Sequence, residues 1–208
     1  MKIVETSVEL VSELDAEKIM KHIELAGRVC YKSESKISDT SAEKFIANII
    51  KSGHESVIEH VSLTFKIICD RGVTHEIVRH RLASYSQSST RYCNYASDKF
   101  GNELTFIKPC FWNEDDENYK LWKVTMEVAE KNYLTMIKNG AQPQQARSIL
   151  PNSLMTEIFM TANLREWRHF LKLRTSKRAH PQMREVALKI YKILNDNLPI
   201  IFSDIQVD

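Results

Sequence analysis

The sequence predicts an α+β fold, and three observations carry that prediction. Long stretches repeat their apolar residues at helical spacing, notably Ala16–Val29 and Tyr119–Lys138. The run Val61–Ile67 alternates apolar and polar residues at period two, as a half-buried strand does. Strand-like runs are few and do not alternate regularly with helices, which argues against a doubly wound sheet.

From the N-terminus, Ile3–Val11 is strand-like. In Ala16–Val29, Ile19, Met20, Ile23 and Ala26 fall on one helical face. A second helix is expected from Ser41, a suitable N-cap, to Lys51, with Gly53 stopping it. In the strand that follows, Val61, Leu63, Phe65 and Ile67 share a face. Acidic Glu114–Glu117 precedes the long Tyr119–Lys138 stretch, which Asn139-Gly140 ends. Acids at a helix start and lysine at its end both suit the helix dipole, so the charge run is a solvated helix start. Pro143 and Pro151 bracket a short helix containing Arg147. Leu154–Asn163 holds Ile158, Phe159 and Thr161, which favour a strand. Two helices are expected near Arg165–Leu173 and Gln182–Asn197, before Pro199. With no internal repeat or low-complexity tract, the whole chain, 1–208, reads as a single domain.

Composition narrows the function classes. The chain carries 29 Lys+Arg against 27 Asp+Glu, a net charge of +2, which excludes a histone-like coat and an acidic disordered tail. The start, Met1-Lys2-Ile3-Val4-Glu5, lacks a secretory pattern, and no apolar run reaches the ~20 residues of a membrane span. Cys30, Cys69, Cys93 and Cys110 form no C-x-x-C pair and read as free thiols of a cytoplasmic protein. His54 with His60, and His75 with His80, lack the cysteine or H-E-x-x-H context of a zinc site, so no metal is expected.

The segment Arg79–Tyr92 concentrates the chemistry. It packs three arginines, one histidine and five Ser/Thr hydroxyls into fourteen residues, with no acid and no glycine. Guanidinium forks and hydroxyls suit phosphate, and the missing glycines exclude a Walker loop or a dinucleotide turn. An anion pocket built from side chains and a basic, hydroxyl-rich surface turn are both compatible with this composition. Between Arg147 and Arg184, eight Lys/Arg stand against Glu157 and Glu166. Two such segments could bind a ligand with several phosphates, although Arg165, Arg168 and Lys172 would also suit one solvated helix face. The segment Gly53–His60, joining a helix end to a strand, is a third candidate for function, or a structural His-Glu pair.

These residues resemble the flavin-dependent thymidylate synthases. Their signature is Arg-His-Arg, seven residues, Ser, and Arg two positions on, matched by Arg79-His80-Arg81, Ser89 and Arg91. Gly53-His54-Glu55-Ser56 with Glu59-His60, the Arg147 segment, Asn163-Leu164-Arg165 and Leu171–Arg174 follow the family order. The resemblance spans nearly the whole chain. It implies mixed helices around a small, mainly antiparallel sheet. It also implies reductive methylation of dUMP to dTMP, with 5,10-methylenetetrahydrofolate as carbon donor and FAD, reduced by NADPH, as hydride source. A homotetramer with active sites at subunit junctions is implied as well, and no nucleic-acid or membrane partner. A flavin-binding NADPH oxidoreductase without methyl transfer is an alternative, and a basic nucleic-acid-binding module is a weaker one, lacking any reader motif.

The resemblance carries over residue by residue. Ser56, Glu59, Arg79, His80, Arg81, Gln87, Asn163, Leu164, Arg165 and His169 match FAD contacts, and His54 the histidine near the flavin and folate rings. Glu76, Arg79, Gln87, Ser88, Ser89, Thr90, Arg91, Arg147 and Arg174 match dUMP contacts. Arg174 is the implied catalytic residue, the arginine that favours N3-ionised uracil. No general base is attached to Ser89, which therefore reads as a binding donor. Cys30 stands where the family often has a small hydroxyl near FAD. The sequence departs from common family versions at Ser86 (a frequent Asn), at Gln87 (a frequent Glu) and in the more basic Lys177-Arg178-Ala179-His180.

Overall fold

The structure, a computed structural model, describes residues 1–207. Strand β3 (Ser62–Asp70) turns the period-two pattern into architecture: Leu63, Phe65, Ile67 and Cys69 are buried and their neighbours are more exposed. Strand β6 (Met155–Asn163) alternates likewise, burying Thr156, Ile158, Met160 and Ala162. The two run antiparallel: the Leu164 amide donates to Val61, Thr64 pairs with Thr161 through their hydroxyls (2.8 Å), and the Arg71 amide donates to Leu154. With β2 (Ser7–Leu10) and β4 (Ala83–Gln87) they form a four-stranded sheet in the order β2-β3-β6-β4. A separate pair, β1 (Lys2–Val4) with β5 (Thr105–Ile107), is parallel, with Lys2 opposite Thr105 and Val4 opposite Ile107.

The predicted single strand Ile3–Val11 is thus two strands, broken at Glu5-Thr6, because its halves pair in different sheets. Strand β4 lies inside the signature, where the sequence reading placed no strand.

The described chain divides into two compact units, and β2, β3, β4 and β6 contribute residues to both. One unit comprises Met1–Ser7, Ile67–Arg79 and Ser86–Ile158. It holds α3 (Arg71–Ile77), α4 (Glu117–Lys138) and α5 (Pro143–Ala146). Its core groups Tyr95, Phe106, Trp122, Met126 and Tyr133, with the Tyr95 ring edge-on to Tyr133 at 5.8 Å. Asp116 caps α4 by accepting from the Asn118 amide at 2.8 Å, so the acidic run does start this helix. Gly140, at φ +93°, lies just past its end, a left-handed position that disfavours other residues.

The other unit comprises Val8–Lys66, His80–Tyr85 and residues 159–207. It contains α1 (Ala16–Val29), α2 (Ser41–Lys51), a 3-10 turn at Glu55–His60, α6 (Leu164–Arg174), α7 (Pro181–Asn197) and α8 (Pro199–Phe202). Trp167, fully buried, meets Phe65 at 5.0 Å and Phe170 at 5.5 Å, and donates its indole N–H to the Leu63 carbonyl. Helix α2 has the predicted bounds, but its cap differs. Thr40 is the N-cap, and Ser41 is already helical, its hydroxyl donating to the buried Glu24 at 2.8 Å. Glu24 also accepts from Arg28, whose guanidinium lies 4.5 Å over the Phe45 ring.

That stack leaves room for no side chain at Gly27, where a Cβ would stand 2.6 Å from two Phe45 ring atoms and 3.0 Å from Val57. Gly27→Ala gains about 0.5–1 kcal/mol of helix propensity, but forcing Phe45 aside costs about 1–3 kcal/mol. The expected net is a loss of stability, read as a lower urea midpoint at an unchanged m-value.

Candidate active site

Helix α6 organises the second unit's polar residues. Asn163 caps it, its side-chain oxygen accepting from the Glu166 amide at 2.8 Å, which fixes Asn163, Arg165, Glu166 and His169 at the start of the helix. Together with Glu55, Glu59, Leu82 and Lys172 these residues line a cavity of about 530 Å³. Arg165 reaches Glu59 through Nη1, and Glu55 accepts from Arg168 Nε at 3.0 Å and Lys172 Nζ at 3.2 Å. Four residues predicted as FAD contacts (Glu59, Asn163, Arg165 and His169) therefore share one cavity. Its donors, two cations with an amide and an imidazole, suit a cofactor that carries phosphate, and its three carboxylates, Glu55, Glu59 and Glu166, are each paired with a donor.

His54 and Ser56 line a second cavity of about 460 Å³ with Cys30, Tyr31, Phe45 and Asn48. His54 stands just before the 3-10 turn, so the loop that joins α2 to β3 presents both residues. The cavity wall beside Cys30 and Phe45 is largely apolar, as a ring-binding site requires.

His80 sits deeper, 5% exposed. Its Nδ1 lies 3.0 Å from Glu166 Oε1, and its Nε2 accepts from Arg174 Nε at 3.1 Å. An arginine N–H can only donate, so Nε2 carries no proton and Nδ1–H is the donor to Glu166. The ring packs on Phe170 at 4.9 Å and edge-on to His169 at 5.6 Å. Burial, joined by the Arg174 charge and only partly opposed by Glu166, holds the imidazole below its ordinary range. Tyr85 donates to the His80 carbonyl at 2.6 Å, and burial pushes its phenol up to about 12. His80, Glu166 and His169 also bring three metal-ligating atoms within 4.8 Å of one another. Both ring nitrogens of His80 are already bonded and a guanidinium lies alongside, so the cluster acts as a hydrogen-bond chain.

The first unit holds the residues matched to dUMP other than Arg174, which ends α6 in the second. Glu76 lies in the last turn of α3 and Arg79 two residues beyond that helix. Gln87 Nε2 donates to Thr74 at 3.1 Å and Thr156 at 3.2 Å, and Ser88 Oγ meets Thr156 at 3.0 Å. The bonds to Thr156 fasten the end of β4 to β6, and the bond to Thr74 ties it to α3. Ser89 Oγ accepts from the Arg91 amide at 3.2 Å, while Arg91 Nε donates to Gln144 of α5 at 3.3 Å. Arg147 opens the 3-10 turn directly after α5 and is exposed, as are Arg79, Arg81 and Arg91. Ser88, with Tyr95, Lys99 and Glu157, lines a cavity of about 380 Å³ that does not include Ser89 or Arg91.

Other predicted contacts point inward. Leu164 is fully buried and Thr90 nearly so. The sequence reading missed Glu166, Thr156, Thr74 and Gln144 as supports of the site. Only Glu166 left a signal: it stands three residues after the Asn163 cap, the spacing of a helix start.

Residues 9–200 match the family described as thymidylate synthase complementing protein. A flavin-dependent thymidylate synthase of Pyrococcus furiosus is 41% identical over 81% of this chain and 70% of its own length. One from Geobacter sulfurreducens is 33% identical over 88% of this chain and 80% of its own. A crystal structure of a UMP/dUMP methylase, PolB from Streptomyces cacaoi, bound with 5-Br dUMP, superimposes with a TM-score of 0.78. It covers 98% of this chain and 96% of its own at 24% identity, a match that establishes the fold. The signature, the order of the polar segments, the fold and these relatives agree: the chain belongs to the flavin-dependent thymidylate synthase family.

Proposed function

We propose that the chain catalyses the reductive methylation of dUMP to dTMP. 5,10-Methylenetetrahydrofolate is the carbon donor and NADPH the reductant of a bound FAD. In this reading the whole chain is one catalytic domain, working as a homotetramer in the cytoplasm. The observation that carries it is the 530 Å³ cavity, whose lining unites Glu59, Asn163, Arg165 and His169, residues that the resemblance matches to FAD contacts. Membership of that family leaves the nucleic-acid module without support.

When bound, the flavin supplies the hydride chemistry. The residues supply binding and charge. Arg165 and Lys172 offer cations to the cofactor's phosphates, and the His54 cavity offers apolar walls to planar rings. Arg91 and Arg147 offer guanidinium forks to the dUMP phosphate. Arg174 faces the uracil: a fixed positive charge stabilises the N3 anion, which is electron-rich and attacks an electrophilic carbon from C5. An arginine does this without titrating itself.

The test is direct. The purified protein, loaded with FAD, is expected to be yellow and to release tritium from [5-³H]dUMP only when methylenetetrahydrofolate and NADPH are both present. Flavin binding with NADPH oxidation but no tritium release would leave an oxidoreductase instead. No flavin binding at all would defeat the proposal.

A further inference from the structure

We infer that His80 and Glu166 are positioning residues for Arg174, acting on the substrate through that guanidinium rather than as flavin contacts. The inference rests on the proposed role of Arg174 toward dUMP. The resemblance assigns His80 to FAD, yet its imidazole has given both nitrogens away: Nδ1–H to Glu166 at 3.0 Å and Nε2 to Arg174 at 3.1 Å. With only 5% exposure, and Phe170 and His169 packed against the ring, the side chain has no edge left for a flavin.

The order of the chain matters. Glu166, itself 6% exposed, is tied through its own amide to the Asn163 cap, so the carboxylate belongs to the rigid start of α6. A carboxylate beside Nδ1 demands a proton there and thereby leaves Nε2 as an acceptor. Only that tautomer can receive the Arg174 N–H; the other would set two donors face to face. Arg174, at the far end of the same helix, is thus held from Glu166 through His80. An arginine has several rotatable bonds, and holding it beforehand spares dUMP binding the cost of freezing them.

A double-mutant cycle on the FAD-loaded protein tests this, with dUMP affinity measured by calorimetry. His80→Asn is expected to weaken dUMP about five- to tenfold and leave FAD affinity unchanged. In an Arg174→Ala background the same substitution is expected to change dUMP affinity less than twofold, because nothing remains to position. An equal effect in both backgrounds, or a loss of FAD affinity in its place, would overturn the inference. Should His80→Asn fail to fold, Glu166→Gln removes the demand for the Nδ1 proton and is expected to weaken dUMP in the same direction by less; wild-type affinity there would also overturn it. The ¹⁵N shifts of the His80 ring report the tautomer without any substrate. A protonated Nε2 in a protein that turns over dUMP would sink this inference alone, whereas Nδ1–H in a protein without turnover would sink the functional proposal alone.

Discussion

Arg174→Ala is expected to lower tritium release from [5-³H]dUMP by about 10²–10³-fold, the cost of removing one group aimed at developing charge. Flavin content should stay at the wild-type level, because Arg174 lines neither of the two cavities described in the second unit. Its Nε donates to His80, so its removal frees an imidazole acceptor. Arg174→Lys should fall between, since it keeps the charge and loses the planar fork and the Nε donor. Tritium release at the wild-type rate in the alanine variant would remove Arg174 from the chemistry, and with it the reason for the His80 chain.

The largest loss of stability is expected at Arg168, 1% exposed and enclosed by two acids. Nη1 and Nη2 bind Asp204 at 2.6 and 2.7 Å, Nε binds Glu55 at 3.0 Å, and Nη1 also reaches the Ile201 carbonyl. The guanidinium thereby fastens the segment after α8 to α6 and to the 3-10 turn before β3. Arg168→Leu leaves those acids facing an apolar side chain, a change expected to cost about 3–5 kcal/mol. At about 2–4 °C per kcal/mol for a chain of this size, the melting midpoint should fall by about 6–20 °C. The effect should fade in acid. The Arg168 bonds hold the Asp204 carboxyl below its usual range against burial, and at Glu55 burial is outweighed by Arg168 and Lys172. Groups with depressed folded pKa values stabilise above their unfolded values, near pH 4, and lose that contribution as pH falls through the folded ones. The gap between wild type and variant should therefore narrow below about pH 4. A gap that stays constant down to pH 3 would mean that packing, not charge pairing, is what Arg168 contributes.

Elements that repeat one period over many residues were legible in the sequence. Helix α1 has its predicted bounds, β6 begins one residue late because Leu154 forms an isolated bridge to Phe106, and α6 is longer by one residue at each end. Strand β4 was not legible. Ala83-Ser84-Tyr85-Ser86-Gln87 alternates in burial, but its side chains are small or polar, so hydropathy shows no period. The Ser41 cap failed for a different reason: a buried carboxylate seventeen residues earlier competes for that hydroxyl, and only the folded chain brings it near. The site divides along the same line. The motif named the residues proposed to meet ligands, since their chemistry is a property of residue type. The supports, Glu166 for His80 and Thr156 for Gln87 and Ser88, are set by contacts between segments distant in sequence.

Gln87, where the family often has Glu, decides which way the hydroxyls around it point. Its amide nitrogen donates, so Thr74 and Thr156 must both accept. Thr74 sends its own proton to the Arg71 carbonyl at 2.9 Å. Thr156 keeps its own proton, with Ser88 3.0 Å away, whose oxygen also accepts from the Glu157 amide at 3.3 Å. When Thr156 donates there, both acceptor sites of Ser88 are filled and its remaining capacity is to donate. A glutamate at position 87 would accept instead, drawing the Thr156 proton toward itself and leaving Ser88 to spend its own on Thr156. The single amide thus fixes two of the surrounding hydroxyls as acceptors, a polarity that a carboxylate at the same position would reverse.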